Sequence, residues 1–405
     1  MRQSFDNQYI VNSQNSVLPL ENNTDFVRHD SDLKFIYKTL LFQMRNVAKT
    51  FKTIKETQLQ KKPRIAFCGY APFKKDTPNK FIDIVKNGTS LHYHGVAQCC
   101  GYWRCPVCAL KISENKKKLI TEITDQHLAL KKSIGFITLT IRHNKNDTLK
   151  GSLDKLLKNY RSFQNQRFFS RGKKDYTLLG QIKTLEITFS ELNGWHPHLH
   201  LLFFYDNISN ENLTIFQKQF IKNWSIFKDN NSLIKSQHQD IVRNNSISDY
   251  TSKLDIVSEM TKGKIKTSKG LTPFTALAKL ALKDYQNSNE KNLLYGIYDN
   301  YIEQTQGRHF VNISNALTKL YNVDDLNLTD EQICSTTTFD AVLCHISTVT
   351  WLKICKLNLQ PLLLQKYTKY GLDGAFNLLK YYKSFKDLSV QIHTDDIPIL
   401  TVERW

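Results

Sequence analysis

No stretch of this sequence reaches the roughly 18 consecutive apolar residues that a membrane-crossing helix requires. Its opening residues, MRQSFDNQYIVNSQNS, lack the apolar segment of a secretory signal. Both absences lead us to expect a cytoplasmic protein without a membrane partner, in a compartment where thiols stay reduced. The eight cysteines are then not a disulfide framework. No internal repeat is visible, and the zinc-protease pattern H-E-x-x-H is absent, so peptide hydrolysis gains no support. Acidic residues are scarce: 37 Asp and Glu stand against 56 Lys and Arg, a formal charge of +19. Such an excess calls for a polyanionic partner, nucleic acid before an anionic membrane surface.

What the chain does contain fits a folded protein. Its 405 residues are 40% hydrophobic, enough for two or three domains with a sizeable core. Four regions separate by composition: a polar segment and helix at 1–60, a cysteine-rich module at 61–112, a mixed core at 113–325, and a helical region at 326–405. Residues 1–30 are rich in Asn and Gln and read as loosely ordered. Residues 31–57 read as one helix, with Leu40, Leu41, Met44 and Val47 on its apolar stripe. In the core, GFITLTIRH (135–143) is a strand, 148–170 a helix, 181–205 two strands around a tight polar turn, and 208–229 a helix. A second short helix is expected at 247–263, then a basic loop at 262–270, then a new helix announced by Thr272-Pro273. Residues 321–340 form a polar linker candidate. The order strand–helix–strand–strand–helix predicts an α+β fold: a central antiparallel sheet, ferredoxin-like, with helices on one face.

The most informative run is W-H-P-H-L-H-L-L-F-F, with His196, His198 and His200 at every second position. On a strand these three imidazoles project to one face, and Leu199 and Leu201 to the other. With a turn over Glu191–Trp195, Glu186 falls directly opposite His200 on the imidazole face. Two histidines and a carboxylate can then converge on one divalent cation, Mg²⁺, Mn²⁺ or Zn²⁺. A polar strand face that happens to carry histidine is the plainer explanation for one or two such residues, and it fits three with a matched glutamate poorly. His196, beside Pro197, reads as a further ligand, a DNA contact or a turn residue.

Two other clusters carry chemistry. In D-Y-T-S-K, Tyr250 and Lys253 share a helix face, and a neighbouring cation stabilises a phenolate nucleophile. Alone, that pair means little. In C-G-Y-W-R-C-P-V-C, Cys100, Cys105 and Cys108 have the spacing of a tetrahedral Zn²⁺ site, with Cys68 the best fourth ligand and His92, His94 or Cys99 the alternatives. Buried free thiols are the plainer reading, and Cys334, Cys344 and Cys355 are assigned to it as core residues. Arg171, Lys173 and Lys174 before the histidine hairpin, and Lys262, Lys264, Lys266 and Lys269 directly after the tyrosine helix, are candidate phosphate contacts.

Together these elements resemble the plasmid rolling-circle replication initiators of the HUH endonuclease superfamily. FITLTIRH (136–143), GWHPHLHLLFF (194–204) and YTSK (250–253) are similar to their three motifs, in that order. CGYWRCPVC (100–108), with Cys68-Gly69 upstream, resembles the branch with a cysteine motif before the nuclease. LTPFTAL (271–277) and QGRHF (306–310) are similar to segments downstream of its tyrosine. The resemblance runs from about residue 62 to 325. It implies that His198, His200 and Glu186 hold a catalytic Mg²⁺ or Mn²⁺, with a structural Zn²⁺ in the cysteine motif. It implies that Tyr250, aided by Lys253, nicks single-stranded origin DNA and retains the 5′ phosphate. The 3′ hydroxyl would serve host polymerase, with a host helicase as a further partner, and the strand would later be rejoined. One departure stands out. Where many relatives have a glutamate four residues before the tyrosine, this chain has Ser246, with Asp249 or Asp240 as substitutes. A relaxase or transposase using the same site, a non-enzymatic zinc-containing DNA-binding protein and a zinc hydrolase are the competing readings.

Overall fold

A computed structural model describes residues 30–60, 62–70, 81–96, 100–169, 177–206, 208–228, 230–234, 237–242, 270–335 and 339–402. In chain order the helices are α1 (Asp30–Ala48), α2 (Ile54–Gln58), α3 (Pro106–Ala129), α4 (Leu149–Gln164), α5 (Asn210–Ile226), α6 (Pro273–Leu282), α7 (Ser288–Gln304), α8 (Asn315–Leu320), α9 (Asp330–Ser335), α10 (Thr348–Lys356) and α11 (Gln360–Lys380). The strands are β1 (Phe81–Asn87), β2 (Ser90–His94), β3 (Ser133–Leu139), β4 (Leu178–Ser190), β5 (Gly194–Tyr205), β6 (His238–Ile241), β7 (Val311–Ile313), β8 (Ala341–Ser347), β9 (Leu388–Ile392) and β10 (Pro398–Val402). They form two compact units. Among the described residues, one unit runs from Leu110 to Leu328, and the other combines the residues before Leu110 with those from Thr329 onward.

In the continuous unit five strands lie in the order β6-β3-β5-β4-β7, every neighbouring pair antiparallel. The run β3-α4-β4-β5-α5-β6 within it has the ferredoxin-like arrangement, so the α+β expectation holds. Period-two alternation along β5 creates the layers. Leu199, Leu201, Phe203 and Tyr205 are buried on one face. There the aromatic rings of α4 and α5 close the core, with Phe220 centred 5.0 Å from Phe163 and 5.5 Å from Phe203. These two crossover helices share a face, as expected. The other face is not bare. Leu202 and Phe204 continue it beyond the histidines, and Leu119, Ile120 and Ile123 of α3 cover them with Leu317 of α8. Each buried side chain of this size contributes ~1.5–3 kcal/mol, which is why the apolar half of the face recruits helices.

The second unit carries the sheet β2-β1-β8-β10-β9, in which β8 and β10 are parallel and the other pairs antiparallel. Ile82, Ile84, Cys344, Ile346 and Leu400 pack against Trp351 and Ile354 of α10 and Leu363 and Leu379 of α11. Residues 326–405 thus supply three strands besides the expected helices. Cys344 and Cys355 are core thiols as anticipated, and burial pushes each up to about 12. The single helix expected over 31–57 is two. The first ends at Ala48, and Thr53 starts the second with a capping box in which its hydroxyl accepts from Glu56 N–H and Glu56 accepts from Thr53 N–H. The signal T-x-x-E was present in the sequence and outweighs the apolar periodicity. Thr272 caps α6 ahead of Pro273, as predicted. No helix among the described residues is long and apolar enough to cross a membrane.

Candidate functional site

Strands β4 and β5 are joined by a turn of Glu191, Leu192 and Asn193, tighter than anticipated. Gly194 makes this feasible. It adopts φ +74°, and a Cβ there would stand 2.5 Å from the Lys145 carbonyl oxygen. The shorter turn moves the register by two residues, so Glu186 pairs with His198, not with His200 as expected. A shift of two preserves the face, and the three groups still meet. The Nε2 atoms of His198 and His200 lie 2.8 and 2.5 Å from the same Glu186 oxygen, Oε2.

That convergence sets the electrostatics. Burial pushes the Glu186 carboxyl up, but the charges and hydrogen bonds of His198 and His200 outweigh it and hold it well below the usual carboxylate range. On the far side of His200, Nδ1 lies 2.9 Å from Thr138 Oγ1 on β3, and the Phe136 ring stacks on the imidazole at 5.8 Å. The sequence offered no reason to single out Thr138. It fixes the ring from behind, so Nε2 faces the carboxylate. Two ring nitrogens this close to one carboxylate oxygen need either N–H protons or a cation between them. His198 Nδ1 is buried without a hydrogen-bond partner among the described residues. Two imidazoles and a carboxylate, with the carboxylate one-quarter exposed, match the donor set of an open divalent-metal site.

His196 stands apart from this triad. Its ring lies 5.1 Å from His198 and 4.6 Å from His143, and burial, followed by these two neighbours, pushes it down to about 4. His143 in turn bonds the Asn193 carbonyl at 3.0 Å, tying the loop after β3 to the hairpin turn. Asp240 is exposed on β6 opposite Phe136, its carboxylate accepting from Ile241 N–H. Tyr250, Lys253, Ser246, Asp249, Arg171, Lys173, Lys174, Lys262, Lys264, Lys266 and Lys269 lie outside the described residues, as do residues 1–29 and Cys99.

In the second unit Cys68, Cys100, Cys105 and Cys108 gather as a buried foursome. The Sγ atoms of Cys68 lie 3.6 Å from those of Cys105 and Cys108, and Cys100 lies 3.6 Å from Cys108. A tetrahedron with Zn–S lengths of ~2.3 Å has edges of about 3.8 Å, whereas a disulfide would need ~2.05 Å. Cys68 follows a 3-10 turn, and Cys105 and Cys108 frame the start of α3. Hydrogen bonds from Cys100, Cys105 and Cys108 hold the Cys68 thiol well below its ordinary value. Of the alternatives, His92 is exposed and His94 bonds Asp83. Sequence reasoning missed Arg45. It is buried, its Nε and Nη2 have no hydrogen-bond partner among the described residues, and Gly69 presses so close that a Cβ there would fall 2.1 Å from Nη1. A buried guanidinium with two such nitrogens is costly, even stacked on the Phe42 ring at 4.2 Å, and four thiolates around a dication would carry the net negative charge that offsets it.

The family model described as "Replication protein" matches residues 93–341, well over half of the chain. The chain therefore belongs to the replication protein family. This agrees with the resemblance to plasmid rolling-circle replication initiators drawn from the sequence. It is also similar to three curated proteins called "Protein rep". One from Streptomyces lividans is 26% identical over 141 residues, 28% of this chain and 31% of that protein. One from Bacillus sp is 28% identical over 145 residues, 34% and 41% of the two chains. A third, from Bacillus amyloliquefaciens, is 33% identical over 113 residues, 26% and 30%. The matched stretches span less than half the length of these relatives. No solved structure matches.

Proposed function

We propose that the chain initiates rolling-circle replication by cutting single-stranded plasmid origin DNA through a tyrosine. The observation that carries this is the convergence of His198 and His200 on one Glu186 oxygen, on a ferredoxin-like sheet, in a member of a replication protein family. Glu186, His198 and His200 would hold Mg²⁺ or Mn²⁺, which when bound neutralises charge on the scissile phosphate. The phenol oxygen of Tyr250 forms a bond to phosphorus as the bond from phosphorus to the 3′ oxygen breaks. That leaves a 5′ phosphotyrosine and a free 3′ hydroxyl for host polymerase. Lys253 favours the phenolate and the charged transition state. The phosphodiester energy stays in the tyrosyl link, so the strand can be rejoined without ATP. Both flanks of residues 243–269 attach to the same sheet. Val242 N–H bonds the Ile134 carbonyl, and Leu271 forms a bridge with Phe189 on β4. His196 and the basic residues, Arg171, Lys173, Lys174, Lys262, Lys264, Lys266 and Lys269, are assigned to DNA, the cysteine foursome to structural Zn²⁺, and host helicase to later unwinding.

The test is to incubate the full chain with single-stranded origin DNA and Mn²⁺ and to identify DNA-linked peptides by mass spectrometry. A link on Tyr250, absent in Tyr250→Phe, is expected; no adduct on any single-stranded origin sequence overturns the reading. A second outcome concerns Thr138. If it orients His200, Thr138→Val weakens Mn²⁺ binding about 10–100-fold. Titration calorimetry reads this directly, and unchanged affinity would show that the hydroxyl has no such role.

A further inference from the structure

A third constellation lies in the second unit, away from both motifs that the sequence flagged. His345 on β8 pairs in register with Asp83 on β1, and its Nδ1 stands 2.7 Å from Asp83 Oδ1. Asp83 is 3% exposed, and its other oxygen lies 3.3 Å from His94 Nδ1. A buried carboxylate that accepts from Nδ1–H fixes the tautomer, leaving the Nε2 lone pair directed outward. Nε2 points to the turn between β9 and β10, where Asp395 Oδ2 lies 3.3 Å away. Asp395 Oδ1 is 2.8 Å from His393 Nδ1. One donor atom from each of His345, His393 and Asp395 falls within 4.8 Å of the others.

The turn is built to hold these groups. His393 N–H donates to the Ile397 carbonyl, Asp396 N–H to the His393 carbonyl, and Ile397 N–H to Asp395 Oδ1. Phe81 walls the group on one side, its ring 5.2 Å from His345 and 5.3 Å from His393. We propose that His345, His393 and Asp395 form a further metal site, taking a divalent transition cation such as Zn²⁺ with water completing its coordination. Two features favour a cation over plain hydrogen bonding. The lone pair of His345 Nε2 faces a carboxylate at 3.3 Å, longer than the ~2.7–2.9 Å of a charge-assisted hydrogen bond. Two carboxyl groups, Asp83 and Asp395, flank the His345 imidazole from opposite sides, an arrangement that a dication balances. Two imidazoles and a carboxylate are a donor set suited to Zn²⁺. Bound there, the ion would clamp the β9–β10 hairpin to β8.

The site is tested in the full chain carrying His198→Ala and His200→Ala, so that the hairpin triad no longer contributes. Bound zinc is counted by elemental mass spectrometry after gel filtration. Two equivalents are expected, falling to one in His393→Ala and in Asp395→Asn. Both substitutions are on a surface turn, outside the core. With Co²⁺ in place of zinc, the thiolate charge-transfer band should be the same in all variants, while the weaker d–d bands of the nitrogen–oxygen site disappear. Equal zinc counts and equal Co²⁺ spectra with and without the turn substitutions would overturn the proposal and leave an imidazole–carboxylate hydrogen-bond network.

Discussion

Converting His198 and His200 together to Ala is expected to cut the rate of the Mn²⁺-dependent DNA adduct at least about 10³-fold. That factor corresponds to ~4 kcal/mol of lost transition-state stabilisation, a scale reached when a metal is removed from a phosphoryl-transfer site. Folding should hardly respond. The removed rings sit on the partly exposed face, while Leu199 and Leu201, which anchor the strand, point the other way and are fully buried. The contrasting substitution is Leu201→Ala, expected to cost ~2–5 kcal/mol of stability through a core cavity. Adduct rates and thermal melts of the two variants separate chemistry from folding. A double variant that keeps its adduct rate, or one that loses rate only in step with its melt, removes the case for a catalytic metal on this hairpin.

The other large effect is expected at the thiols. Cys105→Ser should release one zinc equivalent and lower the unfolding temperature of the unit that contains it. Structural zinc in small thiolate modules contributes on the order of 10–16 kcal/mol. Even a quarter of that, ~3 kcal/mol, lowers the midpoint by roughly 6–12 °C in a unit of this size. Part of the effect should come from Arg45, whose buried charge would lose the anionic cluster beside it. Calorimetry and a colorimetric zinc-release assay read both quantities. Unchanged zinc content with an unchanged melt would mean that the four thiols are merely packed together.

The site's chemistry was legible because it depends on parity and short spacing. Three histidines two apart must share a face, and a turn misjudged by two residues still leaves Glu186 on that face. Cys105 and Cys108 were equally plain, being one helical turn apart at the start of α3. The partners that come from elsewhere were not legible. Thr138 meets His200 across 62 residues of sequence, and no local pattern distinguishes it from any other strand threonine. Arg45 reads as one more basic residue of a surface helix until its burial is seen. The same holds for the second sheet: β1 pairs with β8 over more than 250 residues, and AVLCHIS contains too little alternation to announce a strand. His345, His393 and Asp395 were overlooked for a similar reason, because the parallel pairing of β10 with β8 is what brings the β9–β10 turn to His345.

The interleaved build of the chain also orders its birth. The sheet bearing the histidine hairpin is encoded in one uninterrupted stretch and can close while translation is still under way. The sheet beside the thiols cannot, since β1 and β2 must wait for β8, β9 and β10 to leave the ribosome. At ~5–20 residues per second, that delay lasts many seconds, during which the edges of the early strands stay unsatisfied. Early capture of metal by the cysteines would shelter the nascent amino-terminal half during that interval.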